Sequence, residues 1–199
     1  MSSNARIPSH EITGVYGALV KMMSRRMFGR VPESMGYMWH NTRVLKDMMG
    51  FGQKVHKWDR LDPDLASYAT IATAAYIGCS FCVDLNYFMA HNEGLDTAKA
   101  REVTRWRESD VFTPLERRVM EYAEAMSQTP SGVTDELVAA LLEDLDPATL
   151  LELTSRIGFM NASARGNIAL GIRSEEFSAA CGFEPMATPS SATQTAATV

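Results

Sequence analysis

Two thiols separated by two residues, Cys79-Ser80-Phe81-Cys82, stand directly after Gly78. Such a pair can close into a small disulfide ring, and for that chemistry the two sulfurs are expected together and open to water. A cysteine at a helix N-terminus has its thiolate stabilised by free backbone N–H groups and by the positive end of the helix dipole. The combination points to thiol redox chemistry, in which a thiolate attacks an electrophilic oxygen or sulfur and its neighbour resolves the product. The same cysteines also fit two other roles, as small inert core residues or as half of a zinc site. Zinc would need a second Cys-x-x-Cys or a spaced histidine pair. Here His10, His40, His56 and His91 are scattered and Cys181 stands alone near the C-terminus, so Cys181 is read as an incidental thiol and neither a metal nor a cofactor is expected.

Placed on a helix at about 100° per residue, Cys79, Cys82, Val83, Asn86 and Ala90 share one face. Asn86 is the residue of this helix placed to touch the thiols; it can hydrogen-bond but cannot titrate. Asp84 and His91 titrate but lie on a different face. Two further polar groups are candidates. His40, in Met38-Trp39-His40-Asn41, is either a pocket residue or a structural histidine. Arg165, four residues after Asn161 and close to Asn167, is either a hydrogen-bond hub or a clamp for an anionic substrate group.

The elements that must position these residues read as all-α. Helical periodicity runs through nearly every segment, with no convincing strand series. Residues 12–27 form an amphipathic helix and residues 35–49 a second, stopped by Gly50 and Gly52. Asp62-Pro63 opens a third, with Asp62 as cap and Pro63 at the first helical position. Gly78 interrupts it, and a new helix carries residues 79–93. Residues 97–106 form a short helix. Thr113-Pro114-Leu115-Glu116 restarts the chain with a capping box, Thr134 caps another helix, and Asp146-Pro147 opens the last long one, to about residue 170. The apolar stretches 66–90 and 150–170 are expected at the centre. Residues 1–31 read as an N-terminal helical arm, 32–183 as one helical domain, and 184–199 as a disordered Ala/Thr/Ser/Pro-rich tail.

Composition excludes several classes of function. With 46% hydrophobic residues in 199, the chain can bury a sizeable core. A net charge of −5 and no clustered basic face argue against nucleic acid. No apolar run is long enough to span a membrane, and the N-terminus lacks an apolar signal core, so a cytoplasmic protein is expected. Thirteen methionines are many, and they serve as adaptable filler for a core, a pocket or a subunit interface.

The stretch Ile77-Gly78-Cys79-Ser80-Phe81-Cys82-Val83-Asp84, closed by Gly94-Leu95, resembles the carboxymuconolactone decarboxylase / alkylhydroperoxidase D family. So do Val103-Thr104-Arg105-Trp106, Phe112-Thr113-Pro114-Leu115-Glu116 and Val133-Thr134-Asp135-Glu136-Leu137, and the likeness covers most of the chain. The resemblance implies an all-α, AhpD-like helical bundle that assembles as a homo-oligomer, commonly a trimer or hexamer. It also implies a peroxidase in which Cys82 attacks a hydroperoxide, Cys79 resolves the sulfenic acid as a disulfide, and a thiol reductant, protein or small molecule, reopens the bond. The family's peroxidases carry a Glu where this chain has Ser67 and a His where it has Asn86. Asp64, one turn before Ser67, would reach in only through water. Losing a general acid or base typically costs ~10²–10⁴ in rate, so weak peroxidase activity is expected, with Ser67 and Asn86 positioning water or peroxide. The alternative on the same scaffold is a non-redox lyase, decarboxylase or cyclase for a small lactone or enolisable acid, drawing on His40, Arg165, Asp84 and Tyr68. A third reading is a non-catalytic oligomer.

Overall fold

The computed structural model describes residues 5–181. Among them are nine α-helices and no strand: α1 (Gly14–Phe28), α2 (Glu33–Met38), α3 (Thr42–His56), α4 (Pro63–Ile77), α5 (Ser80–Asn92), α6 (Thr97–Glu102), α7 (Pro114–Ser127), α8 (Asp135–Leu142) and α9 (Pro147–Leu170). Short 3-10 turns occupy Trp39–Asn41, Val103–Glu108 and Ser178–Cys181. The segment 184–199 lies outside the described residues.

Local chemistry fixes the helix starts. The Asp62 carboxylate accepts the N–H groups of Asp64 and Leu65, at 2.9 and 3.3 Å, ahead of Pro63. Thr113 and Glu116 form a reciprocal capping box, and Asp146 accepts from Ala148 and Thr149 ahead of Pro147. Each proline occupies a position whose N–H has no helical partner.

The expected helix over 35–49 is not continuous. The chain breaks at Trp39–Asn41, Asn41 caps the restart by accepting the Val44 N–H, and α3 then passes through Gly50 and Gly52 to His56. Glycine inside a helix costs ~1 kcal/mol against alanine, and at Gly52 the packing explains it. A Cβ there would stand 3.2 Å from the Phe159 ring of α9, so glycine lets the two helices approach closely.

The core forms around α4, which packs against α5, α7 and α9. Tyr68, Ala69, Ile71, Thr73 and Ala74 of α4 are fully buried, and the Thr73 hydroxyl donates to the Ala69 carbonyl at 2.7 Å. Burying a side chain such as Ile71 contributes ~2–3 kcal/mol. A smaller second core gathers Ile12, Val20, Trp39 and Leu45, with Tyr16 stacked on Trp39. After α9, residues 172–178 return as a strap across the first turns of α5. Ser174 N–H donates to Ser80 Oγ at 3.2 Å, and the Phe177 ring meets Phe81, Phe28 and Phe88.

Candidate functional site

The thiol pair sits at a one-residue junction between two helices. Gly78 adopts φ 83° at the end of α4, a conformation that costs glycine little. Its N–H donates to Ala75 O at 3.0 Å and the Cys79 N–H to Ala74 O at 2.9 Å, so the last carbonyls of α4 are satisfied by a Schellman turn. Cys79 is thereby delivered to the N-cap of α5, where its Sγ accepts the Cys82 N–H at 3.3 Å. One helical turn on, Cys82 Sγ lies 2.6 Å from Cys79 Sγ, and both cysteines are free.

This arrangement divides charge and proton between the two sulfurs. The Cys82 S–H directed at Cys79 is the largest influence, and with the N–H groups of Cys82 and Phe81 and the Asn167 amide it holds the Cys79 thiol below its ordinary value, against the opposing effect of burial. Donation to Cys79, burial and the Cys79 charge together push the Cys82 thiol up. Of the two, Cys79 is thus the thiol more readily ionised and Cys82 the one that holds its proton more tightly.

Two expectations about these surroundings are corrected. The sulfurs are not open to water: Cys79 is 1% and Cys82 3% exposed. Nor is Asn86 the residue that touches them. Its amide donates to the Cys82 carbonyl at 2.7 Å and lies 4.0 Å from Met160 Sδ. The amide reaching the sulfur belongs to Asn167 of α9, whose Nδ2 is 3.3 Å from Cys82 Sγ. Met160 and Asn167 are seven residues apart, two turns of one helix, so α9 presents both to α5. Asn167 was visible in the sequence only as one of three polar residues in an apolar helix. That Asn161 and Arg165 lie on another face could have set it apart.

The other candidates are dispersed. Asp84, expected near the pocket, is 4% exposed and occupied by the strap. One carboxylate oxygen accepts the Ser174 hydroxyl and the N–H groups of Glu175 and Phe177, at 2.9–3.1 Å. The other accepts the N–H and hydroxyl of Ser178, both at 2.8 Å. Arg165, an exposed residue, donates to the Ser127 carbonyl at 2.6 Å at the end of α7. His40 bonds the Pro8 carbonyl through Nε2 at 2.8 Å and meets His10 edge-on. Tyr68 is fully buried beside Phe112, and burial pushes its phenol up. Asp64 has Asp62, Glu116, Lys99 and Asp96 as its charged neighbours. The four groups named for a lyase thus each contact different partners.

Ser67 and Asn86 face the same space. Both line a cavity of about 600 Å³ between α3, α4, α5 and α9, with Trp58, Met89, Phe159 and Met160 among its walls. The Ser67 hydroxyl is turned back to the Pro63 carbonyl at 2.9 Å. Arg156 in the wall is held by Glu152 at 2.9 Å and by the Trp58 carbonyl at 2.6 Å. His56 and Glu93 pair at 3.4 Å. Among the described residues no three His, Cys, Asp or Glu side chains gather to hold a metal, and no helix is long and apolar enough to cross a membrane.

Comparison with known proteins places this geometry. The profile described as the Carboxymuconolactone decarboxylase family matches residues 42–125, a span that includes both cysteines. Uncharacterized protein YnjA of Escherichia coli (strain K12) is 38% identical over 124 residues, 62% of this chain and 68% of YnjA. A crystal structure described as an alkylhydroperoxidase AhpD core, an uncharacterized peroxidase-related protein from Ralstonia eutropha JMP134, superposes with a TM-score of 0.77 at 17% identity, covering 89% of this chain and 96% of that one. The debrominase Bmp8, solved in complex with 2,3,4-tribromopyrrole, gives a TM-score of 0.75 at 16% identity over 88% of this chain and 96% of its own. Those two likenesses establish the fold and no more. The sequence match to YnjA, together with the family profile, whose span takes in the thiol junction, shows that the chain belongs to the carboxymuconolactone decarboxylase family, with an AhpD-like all-α fold.

Proposed function

We propose that the protein is a thiol-dependent oxidoreductase that reduces organic hydroperoxides through Cys79 and Cys82. One observation carries this reading: two free sulfurs 2.6 Å apart at a helix N-terminus, close enough to pass a proton between them. The chain lacks the Glu and His with which its family's peroxidases are expected to move protons, and the sulfur pair can do that work itself. Cys82 passes its proton to Cys79 and attacks the terminal oxygen of R–O–OH. The O–O bond breaks, and the departing alkoxide takes that proton to become ROH. Cys82 is left as a sulfenic acid and Cys79 as a thiolate. The Cys79 thiolate then attacks the Cys82 sulfur, expelling hydroxide, which water protonates. The hydroperoxide has gained two electrons and the pair has become a disulfide. A dithiol reductant, protein or small molecule, restores it by exchange. Asn167 donates to Cys82 Sγ and supports negative charge there during the attack.

The peroxidase-related and AhpD-type names of the structural neighbours support a hydroperoxide as oxidant, and the debrominase shows the same fold serving another reaction. A homo-oligomer is part of the proposal. Val15, Met22 and Met23 of α1 and Val44 and Phe51 of α3 are exposed apolar side chains suited to a subunit interface. The test is hydroperoxide consumption followed by ferrous oxidation, with dithiothreitol as reductant. Wild type is expected to turn over and Cys82→Ser to lose the activity; equal rates would end the proposal.

A further inference from the structure

The 600 Å³ cavity stops short of the sulfurs. Asn86 and Met160 line it, and neither cysteine does. Asn86 lies four residues after Cys82 on α5, about 6 Å along the axis. Its amide is committed to the Cys82 carbonyl, with Met160 Sδ at 4.0 Å, and Met160 is itself only 7% exposed. Asn86 is thus the cavity-lining residue of α5 nearest in sequence to Cys82, and Met160 lies against it. Methionine, with three rotatable bonds and no branch, is the more easily displaced of the two.

The walls define what the cavity would hold. Trp58 and Phe159 supply ring faces, and Met27 and Met89 supply adaptable apolar surface. The charges on the walls offset one another: Arg156 is paired with Glu152, His56 lies against Glu93, and Lys57 and Asp59 carry opposite signs. Such a site favours an uncharged apolar body. Its volume lies in the range of drug-sized ligand pockets and is about twenty times that of one water in the liquid.

We infer that this cavity is the binding vestibule for an uncharged, ring-bearing organic substrate, and that Met160, lying against Asn86, is the gate through which the reactive end of that molecule reaches Cys82. The inference rests on the thiol reading above. It assigns to that chemistry a substrate class larger than hydrogen peroxide and a residue that controls entry.

Alkylation of the reduced protein tests the gate without requiring turnover. N-phenylmaleimide would be the probe and labelled thiol would be counted by mass spectrometry. Lowering a local barrier by the equivalent of ~1.4 kcal/mol raises a rate about tenfold. Met160→Ala is expected to speed labelling by about that factor, and Met89→Trp, which fills the vestibule, to slow it by a similar one. If Met160→Ala does not fold by circular dichroism, Met160→Leu, of similar volume but branched and stiffer, is expected to slow labelling. Labelling rates unchanged by Met89→Trp and by the Met160 variant would overturn the inference, because the sulfurs would then be reached from another side. Cavity-dependent labelling without hydroperoxide consumption would leave the vestibule and gate standing and remove the peroxidase reading. Consumption with cavity-independent labelling would do the reverse.

Discussion

Removal of the Asp84 carboxylate should loosen the strap, and the structure sets the scale of the effect. Asp84→Ala leaves five donors without their acceptor: the N–H groups of Glu175, Phe177 and Ser178, and the hydroxyls of Ser174 and Ser178. Ser174 and Glu175 are only partly buried and can turn to water. Phe177 and Ser178 are 6% and 2% exposed and cannot do so without moving the strap. A buried donor left unsatisfied costs ~1–3 kcal/mol. Two buried N–H groups and one buried hydroxyl, partly relieved by relaxation, give ~3–5 kcal/mol. For a chain of this size each kcal/mol moves Tm by ~2–4 °C, so Asp84→Ala is expected to melt about 8–15 °C below wild type. Asp84→Asn keeps one acceptor oxygen and sets an NH₂ against the strap's donors, so it should recover only part of the loss. Thermal melts by circular dichroism measure both. A Tm for Asp84→Ala within ~3 °C of wild type would refute the view that this carboxylate holds the strap, and with it the account of why Asp84 is unavailable to the cavity.

Other expectations follow from the thiol pair and the cavity wall. In hydroperoxide-treated Cys79→Ser, dimedone should trap a sulfenic acid on Cys82; trapping on Cys79 in Cys82→Ser, with none in Cys79→Ser, would reverse the assigned roles. Because the Cys82 S–H is the largest influence lowering Cys79, reduced wild type should keep reacting with iodoacetamide at pH values below the ordinary thiol range, and the Cys82→Ala profile should move to higher pH. A single profile for both proteins would sink the shared-proton picture. Arg156→Ala leaves the buried Glu152 without its partner and frees the Trp58 carbonyl, so a loss of ~2–4 kcal/mol is expected in urea unfolding. Light scattering is expected to find a trimer or hexamer that Met23→Glu weakens; a monodisperse monomer in wild type would remove the oligomer from the proposal.

Sequence periodicity and capping chemistry carried most of the architecture. Asp62-Pro63, Thr113 with Glu116, Asp146-Pro147 and the Gly78 break all announce themselves within four residues, and the structure uses each as read. The misplaced boundary in the 35–49 helix came from treating Gly50 and Gly52 as stops. Gly52 instead answers to Phe159, a residue more than a hundred positions away, and no local rule contains that contact. The site divides the same way. The placement of Cys79 at a helix start is local and was legible. The Asn167 amide and the commitment of Asp84 come from α9 and the strap, 85 or more residues later in the chain. Asp84 looked like a free titratable group because its five partners are backbone and hydroxyl groups that any sequence could offer.

The strap has a bearing on biosynthesis. The carboxylate it satisfies leaves the ribosome about 90 residues before the donors that will satisfy it. Until those residues arrive, α5 lacks the cover of Ser174 and Phe177 on the face that bears Ser80, Phe81 and Asp84. A nascent or truncated chain therefore carries on α5 a buried-to-be carboxylate with none of its five donors, while the turn that joins α4 to α5 and holds the cysteines is already complete within itself. The strap also runs on to Glu175, whose carboxylate accepts the N–H groups of Glu33 and Ser34 at the start of α2 and pairs with Arg30. Arrival of the strap thus covers one face of α5 and fastens the N-terminal region together.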